Sequence, residues 1–184
     1  MGKERLKAKL FRKWLHKNAD TSLILAPIAE RMRNDKLMAV IKDFEAAGYA
    51  LDERGVPVGL DDDEKYCDIV IALHKSFEKV HGESLLDLYL LLERLDMFRA
   101  WLMFANRPDK EEISLDELKW WQMIPWKKIR YEVMNRIAKL MEIFGYPVNE
   151  KGVPTPRNGK DPDRLWLALE IAILKTLADL ASEV

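Results

Sequence analysis

Residues 83–106 read ESLLDLYLLLERLDMFRAWLMFAN, and the rest of the chain is organised around them. Leu85, Leu86, Leu88 and the run Tyr89-Leu90-Leu91-Leu92 are followed by Met97, Phe98 and Trp101-Leu102-Met103-Phe104. A helix apolar nearly all round is buried either in a protein core or in a bilayer. Asp87, Glu93, Arg94, Asp96 and Arg99 interrupt the run too often for a bilayer span, which takes about 20 mostly apolar residues. The stretch therefore predicts a central helix wrapped by the others.

Outward from it, the chain repeats itself. Residues 37–57 align without a gap on residues 134–154, with identities at Lys42/Lys139, Glu45/Glu142, Gly48/Gly145, Tyr49/Tyr146, Glu53/Glu150, Gly55/Gly152, Val56/Val153 and Pro57/Pro154. Chance at average residue usage gives roughly one or two. Asp52/Asn149 and Arg54/Lys151 keep the same turn chemistry. Upstream, Phe11-Arg12-Lys13-Trp14-Leu15 matches Phe98-Arg99-Ala100-Trp101-Leu102. Downstream, Ile71-Ala72 and Lys75 match Ile171-Ala172 and Lys175. Self-similarity of this kind marks one structural unit used twice.

The expected fold is all-α: two tandem, internally duplicated three-helix units, residues 1–82 and 83–184, packed around the shared central helix as one compact domain. In the first unit, Leu6, Leu10, Phe11, Trp14 and Leu15 give helix spacing over residues 4–17. A second helix over 27–47 is interrupted at Arg33-Asn34-Asp35-Lys36, and a third follows Asp61-Asp62-Asp63-Glu64. In the second unit, Ser114-Leu115-Asp116-Glu117 has the form of a capping box opening a short extra helix that ends near Met123. Pro125 suits the first turn of the next helix, and Asp161-Pro162-Asp163 starts the last one. Residues 49–58 and 146–155 predict very short hairpins.

Composition bounds the function. The chain has 184 residues, 48% hydrophobic and 33% charged, with a net charge of −1. One cysteine, Cys67, excludes an internal disulfide framework and a cysteine-rich zinc site. Abundant Glu, Lys and Arg with one glutamine follow the thermophile pattern. The charged N-terminus carries no apolar signal segment, so the expected location is cytoplasmic, with no membrane partner. There is no Gly-rich phosphate loop, no Gly-x-Ser-x-Gly, and no histidine near Cys67 in sequence. No enzyme activity, cofactor or metal is therefore expected. His74, Glu78 and His81 share one helical stripe, with the Glu-x-x-His spacing of carboxylate-bridged metal sites. The facing motif that such sites need is missing, so a polar surface stripe is the expectation.

Charge is unevenly spread. Lys3, Arg5, Lys7, Lys9, Arg12, Lys13 and Lys17 crowd the first helix against Glu4 alone. Further on, Lys127, Lys128 and Tyr131 mix base with an aromatic ring, a pairing that suits single strands. Residues 149–159, NEKGVPTPRNG, resemble a loop segment of the DNA-binding recombinase domain of large serine recombinases. The resemblance covers these residues alone and assigns no family. The favoured expectation is a non-catalytic nucleic-acid-binding accessory or regulatory protein, with Lys7, Lys9, Arg12, Lys13, Lys127, Lys128 and Tyr131 as contact residues. The alternative is a helical protein–protein adaptor or self-associating scaffold, possible as a homodimer. That reading expects an apolar patch at Trp166, Leu169, Ile173 and Leu177 of the last helix.

Overall fold

The computed structural model describes residues 2–17, 24–105 and 119–183. Seven α-helices stand among them: α1 (Lys3–Lys17), α2 (Leu25–Arg31), α3 (Asn34–Ala46), α4 (Asp63–His81), α5 (Leu85–Phe104), α6 (Tyr131–Ile143) and α7 (Pro162–Ser182). No strand is present among the described residues. The two expected hairpins are reduced to isolated antiparallel bridges, Leu51 to Pro57 and Val148 to Pro154. No described helix is long and apolar enough to cross a membrane. The chain divides into two compact units, Met1–Leu90 and Leu91–Val184, with the border inside α5.

In the first unit, α1 packs on α2 and α3, and α3 packs on α4. Phe11 and Leu15 of α1, Ile28 of α2, Ile41 and Phe44 of α3, and Leu73 and Phe77 of α4 are fully buried. The interrupted second helix is two helices, separated where Met32 and Arg33 turn extended. Arg12 fills the break. Its guanidinium donates to the carbonyl oxygens of Ala29, Glu30 (3.1 Å) and Met32 (2.6 Å) and to Asn34 Oδ1 (2.9 Å). Carbonyls at the end of α2 have no partner within the helix, and a cation there also opposes the helix dipole. Asp62 caps α4 by accepting from the Glu64 and Lys65 amides, and Gly82 ends it in the left-handed region.

In the second unit, α6 packs on α7. The core joins Phe98 and Leu102 of α5, Trp121, Trp126, Ile137 and Met141, and Leu169 and Ile173 of α7. Trp166 lies between the rings of Trp101 and Trp121, at 5.5 and 6.0 Å between centroids. Helix α6 begins at Tyr131, later than Pro125 suggested. Residues 120–123 and 126–128 are 3₁₀ turns instead, pinned by a hydrogen bond from Trp126 Nε1 to the Trp121 carbonyl at 2.6 Å. The Ser114 to Glu117 capping box lies outside the described residues. Asp161 caps α7 through the Asp163 amide, with Pro162 in the first turn.

The loops after α3 and α6 have matching hydrogen bonds. The Asp52 amide donates to Val56 O at 2.8 Å and the Asn149 amide to Val153 O at 3.0 Å. Gly55 donates to Asp52 O and Gly152 to Asn149 O, both at 3.0 Å. The Asp52 and Asn149 side chains each accept from two amides of their own loop. Arg99 donates to the Ile129 carbonyl at 2.5 Å, just before α6, as Arg12 does to Met32 just before α3.

Helix α5 departs from the expected all-round burial. Leu88, Leu92, Leu95, Phe98 and Leu102 line its buried side. Leu86, Leu90, Met97 and Phe104 are between 40% and 56% exposed on the other.

Candidate interaction surfaces

Helix α1 sorts its cations by direction. Lys7 is turned into an ion pair with Glu45 of α3. Arg12 is the clamp described above, and partial burial lowers its pKa from the ordinary value. Neither presents its charge freely to solvent. Lys9 and Lys13 are exposed, and so are Arg5 and Lys17. These four residues recur every fourth position, so they form one stripe along the helix. The sequence reading missed Arg5 and Lys17 as members of this stripe, although their spacing carried the signal.

Lys127 and Lys128 are exposed on a 3₁₀ turn of the second unit. Tyr131 is tied down: its hydroxyl bonds Asp96, and the Arg99 guanidinium lies over its ring at 4.6 Å from the centroid.

His74, Glu78 and His81 do lie along α4, with both histidines partly buried. Desolvation lowers both histidine pKa values. Glu78 opposes the shift at His74, and Lys36 adds to it at His81. No group of three potential metal ligands comes together among the described residues.

Helix α7 carries the largest surprise. Trp166, Leu169, Ile173 and Leu177, expected as an outer patch, belong to the unit's core or pack against it. The opposite stripe is the exposed one: Leu167 at 58%, Ile171 at 45% and Leu174 at 54%, continued by exposed Ala178 and Ala181. Isolated apolar residues on a surface are ordinary, but a continuous row along one helix marks a contact face. Charges flank the row. Glu170 falls on one side of it and Lys175 on the other. Glu170 reaches Lys119 at 3.9 Å, at the limit of an ion pair.

The arrangement offers contact surfaces, one apolar and one basic, and no assembled nucleophile, base or phosphate cradle among the described residues. Compared with family models, with curated proteins and with solved structures, the chain has no match in any of the three.

Proposed function

We propose that this chain is a non-catalytic helical scaffold, built from two copies of one helical unit, that works by self-association. The observation that carries the reading is the exposed row Leu167, Ile171 and Leu174 on α7. Burying apolar area yields about 25 cal/mol per Å², and a single-chain domain gains nothing from leaving such a row in water.

The duplication sharpens this reading. Supporting it are the paired sequence identities, the matching loop hydrogen bonds, and the arginines that clamp the entries of α3 and α6. At the positions where α7 has Leu174, Ala178 and Ala181, α4 of the first unit has His74, Glu78 and His81. Ile71 of α4, 51% exposed, stands at the position of Ile171, so the two faces differ in their C-terminal halves, polar in α4 and apolar in α7. That asymmetry is what a unit recruited for contact needs, and the apolar outer face of α5 adds to it.

Native mass spectrometry tests the reading. A species of twice 21.5 kDa or larger is expected at micromolar protein. A monomer at every concentration would exclude self-association.

A second reading rests on the stripe Arg5, Lys9, Lys13 and Lys17, for which no ion pair is found among the described residues. Such a face gains affinity for nucleic acid by counterion release, with little sequence preference. The near-neutral net charge of −1 limits it to a weak, oriented complex. Lys127 and Lys128 are further exposed cations that this reading uses. Changing Arg5, Lys9, Lys13 and Lys17 together to Gln should abolish retardation of DNA or RNA at low salt. Wild-type protein that retards neither excludes the reading.

A further inference from the structure

The spacing of the α7 row says how two copies meet, given the self-association reading on which this inference rests. Residues 167, 171, 174, 178 and 181 are separated alternately by four and three, the seam of a two-stranded coiled coil. Ile171 and Ala178 take one class of seam position; Leu167, Leu174 and Ala181 take the other. Among parallel coiled coils, a β-branched residue in the first class with leucine in the second favours two strands. The opposite side of α7, with Leu169, Ala172, Ile173 and Thr176, is buried in the unit's own core. The helix is therefore folded before any partner arrives, and the nucleation cost that makes short free coiled coils unstable does not apply. The row from Leu167 to Ala181 covers two heptads of this 21-residue helix.

The flanking charges select the direction. Glu170 lies on one edge of the row and Lys175 on the other, while Arg164, seven residues before Ile171, falls in line with the row at its N-terminal end. In a parallel in-register pair, the acidic edge of each helix faces the basic edge of its mate. In an antiparallel pair, acid faces acid and base faces base. We propose that α7 joins two copies of this chain as a parallel coiled-coil seam, with Glu170 of each copy opposite the partner's Lys175. The long contact from Glu170 to Lys119 leaves the carboxylate able to turn outward.

Cysteine cross-linking tests direction and register in the full chain. Cys67 is exposed, so it is changed to Ser, and wild-type protein reports how often an exposed thiol links by collision alone. Leu174→Cys and Ala181→Cys, each alone in the Cys67→Ser background, should link to themselves well above that level, because a parallel seam puts equivalent residues side by side. Glu170→Lys and Lys175→Glu should each weaken the dimer by about 2- to 10-fold at low salt, and the double exchange should restore it. Links that form only when Leu167→Cys and Ala178→Cys chains are mixed would show an antiparallel pair and overturn the proposal. Dimeric wild type whose α7 cysteines link no faster than Cys67 would place the contact elsewhere, overturning the seam while leaving self-association intact. Monomeric wild type would overturn both.

Discussion

Gly55 lies so close to the backbone of Phe11 that a β-carbon on it would sit 2.6 Å from the Phe11 nitrogen. Gly152 holds the same relation to α5, where a β-carbon would come within 2.5 Å of the Met97 carbonyl carbon. Both glycines are left-handed, at φ 76° and 73°. The loop after α3 thus presses against α1 and the loop after α6 against α5, and only a residue without a side chain fits at these two points.

Gly55→Ala and Gly152→Ala should each destabilise by about 2 to 4 kcal/mol, combining backbone strain with overpacking against main chain. Gly48, at φ 97° with nothing near its absent β-carbon, provides the control. Gly48→Ala should cost about 1 to 2 kcal/mol, from the left-handed backbone alone. Urea unfolding of the three variants measures the difference; equal losses would show that the close approach is unimportant.

Arg12→Met should destabilise by about 2 to 3 kcal/mol, because it strips a charged donor from several carbonyls around the α2–α3 break. Arg12→Lys should recover less than half of this, since a point charge cannot serve several divergent acceptors. Arg99→Lys should lose the stacking on Tyr131 as well as the fork geometry, at about 1 to 2 kcal/mol. Thermal melts of the three variants give the comparison. Full recovery by Lys at position 12 would mean that charge alone matters.

Burial of His74 and His81 favours their neutral forms in the folded protein. Each binds a proton more readily in the unfolded chain. Their neutral-state stability is therefore complete above the ordinary histidine pKa of about 6.5, and it is lost as pH falls below that value. A melting temperature that drops between about pH 7 and pH 5 is expected. His74→Gln with His81→Gln should flatten that drop; an unchanged slope would assign it to other groups.

Asp43 accepts from Lys79 and, at 2.8 Å, from the buried hydroxyl of Ser76. Those bonds hold its carboxyl below the usual range, the Lys79 bond contributing most. A carboxylate with a lowered folded pKa adds stability above the unfolded value near 4 and loses it as pH falls through the folded one. Asp43→Asn should therefore show a shallower acid limb in pH-dependent unfolding. An identical limb would contradict this.

Helix starts were legible in the sequence where a side chain marks them. Asp62 and Asp161 cap α4 and α7, and the break at Arg33 is where the polar run interrupts the apolar period. Helix α6 was misplaced because Pro125 fits a helix start as well as it fits the 3₁₀ turn that Trp126 stabilises. In α5 and α7 the difficulty is different. Both carry two apolar stripes at helical spacing, and periodicity gives the spacing without saying which stripe is covered. On α7, stacking of Trp166 between Trp101 and Trp121 turns the Leu169 and Ile173 side inward and leaves Leu167, Ile171 and Leu174 outside. Arg12 reads as one more cation of a basic helix, and only the position of the α2 carbonyls shows its structural role.

Sedimentation equilibrium of wild type beside Ile171→Lys shows whether the outer face of α7 joins two copies of this chain. Ile171 lies in the middle of the row, and a lysine there should cost about 2 to 4 kcal/mol of association, or roughly 30- to 1,000-fold in affinity. Wild type should sediment at twice 21.5 kDa, and the variant at 21.5 kDa with an unchanged helical circular dichroism spectrum. A monomeric wild type, or an Ile171→Lys dimer as tight as wild type, would contradict it.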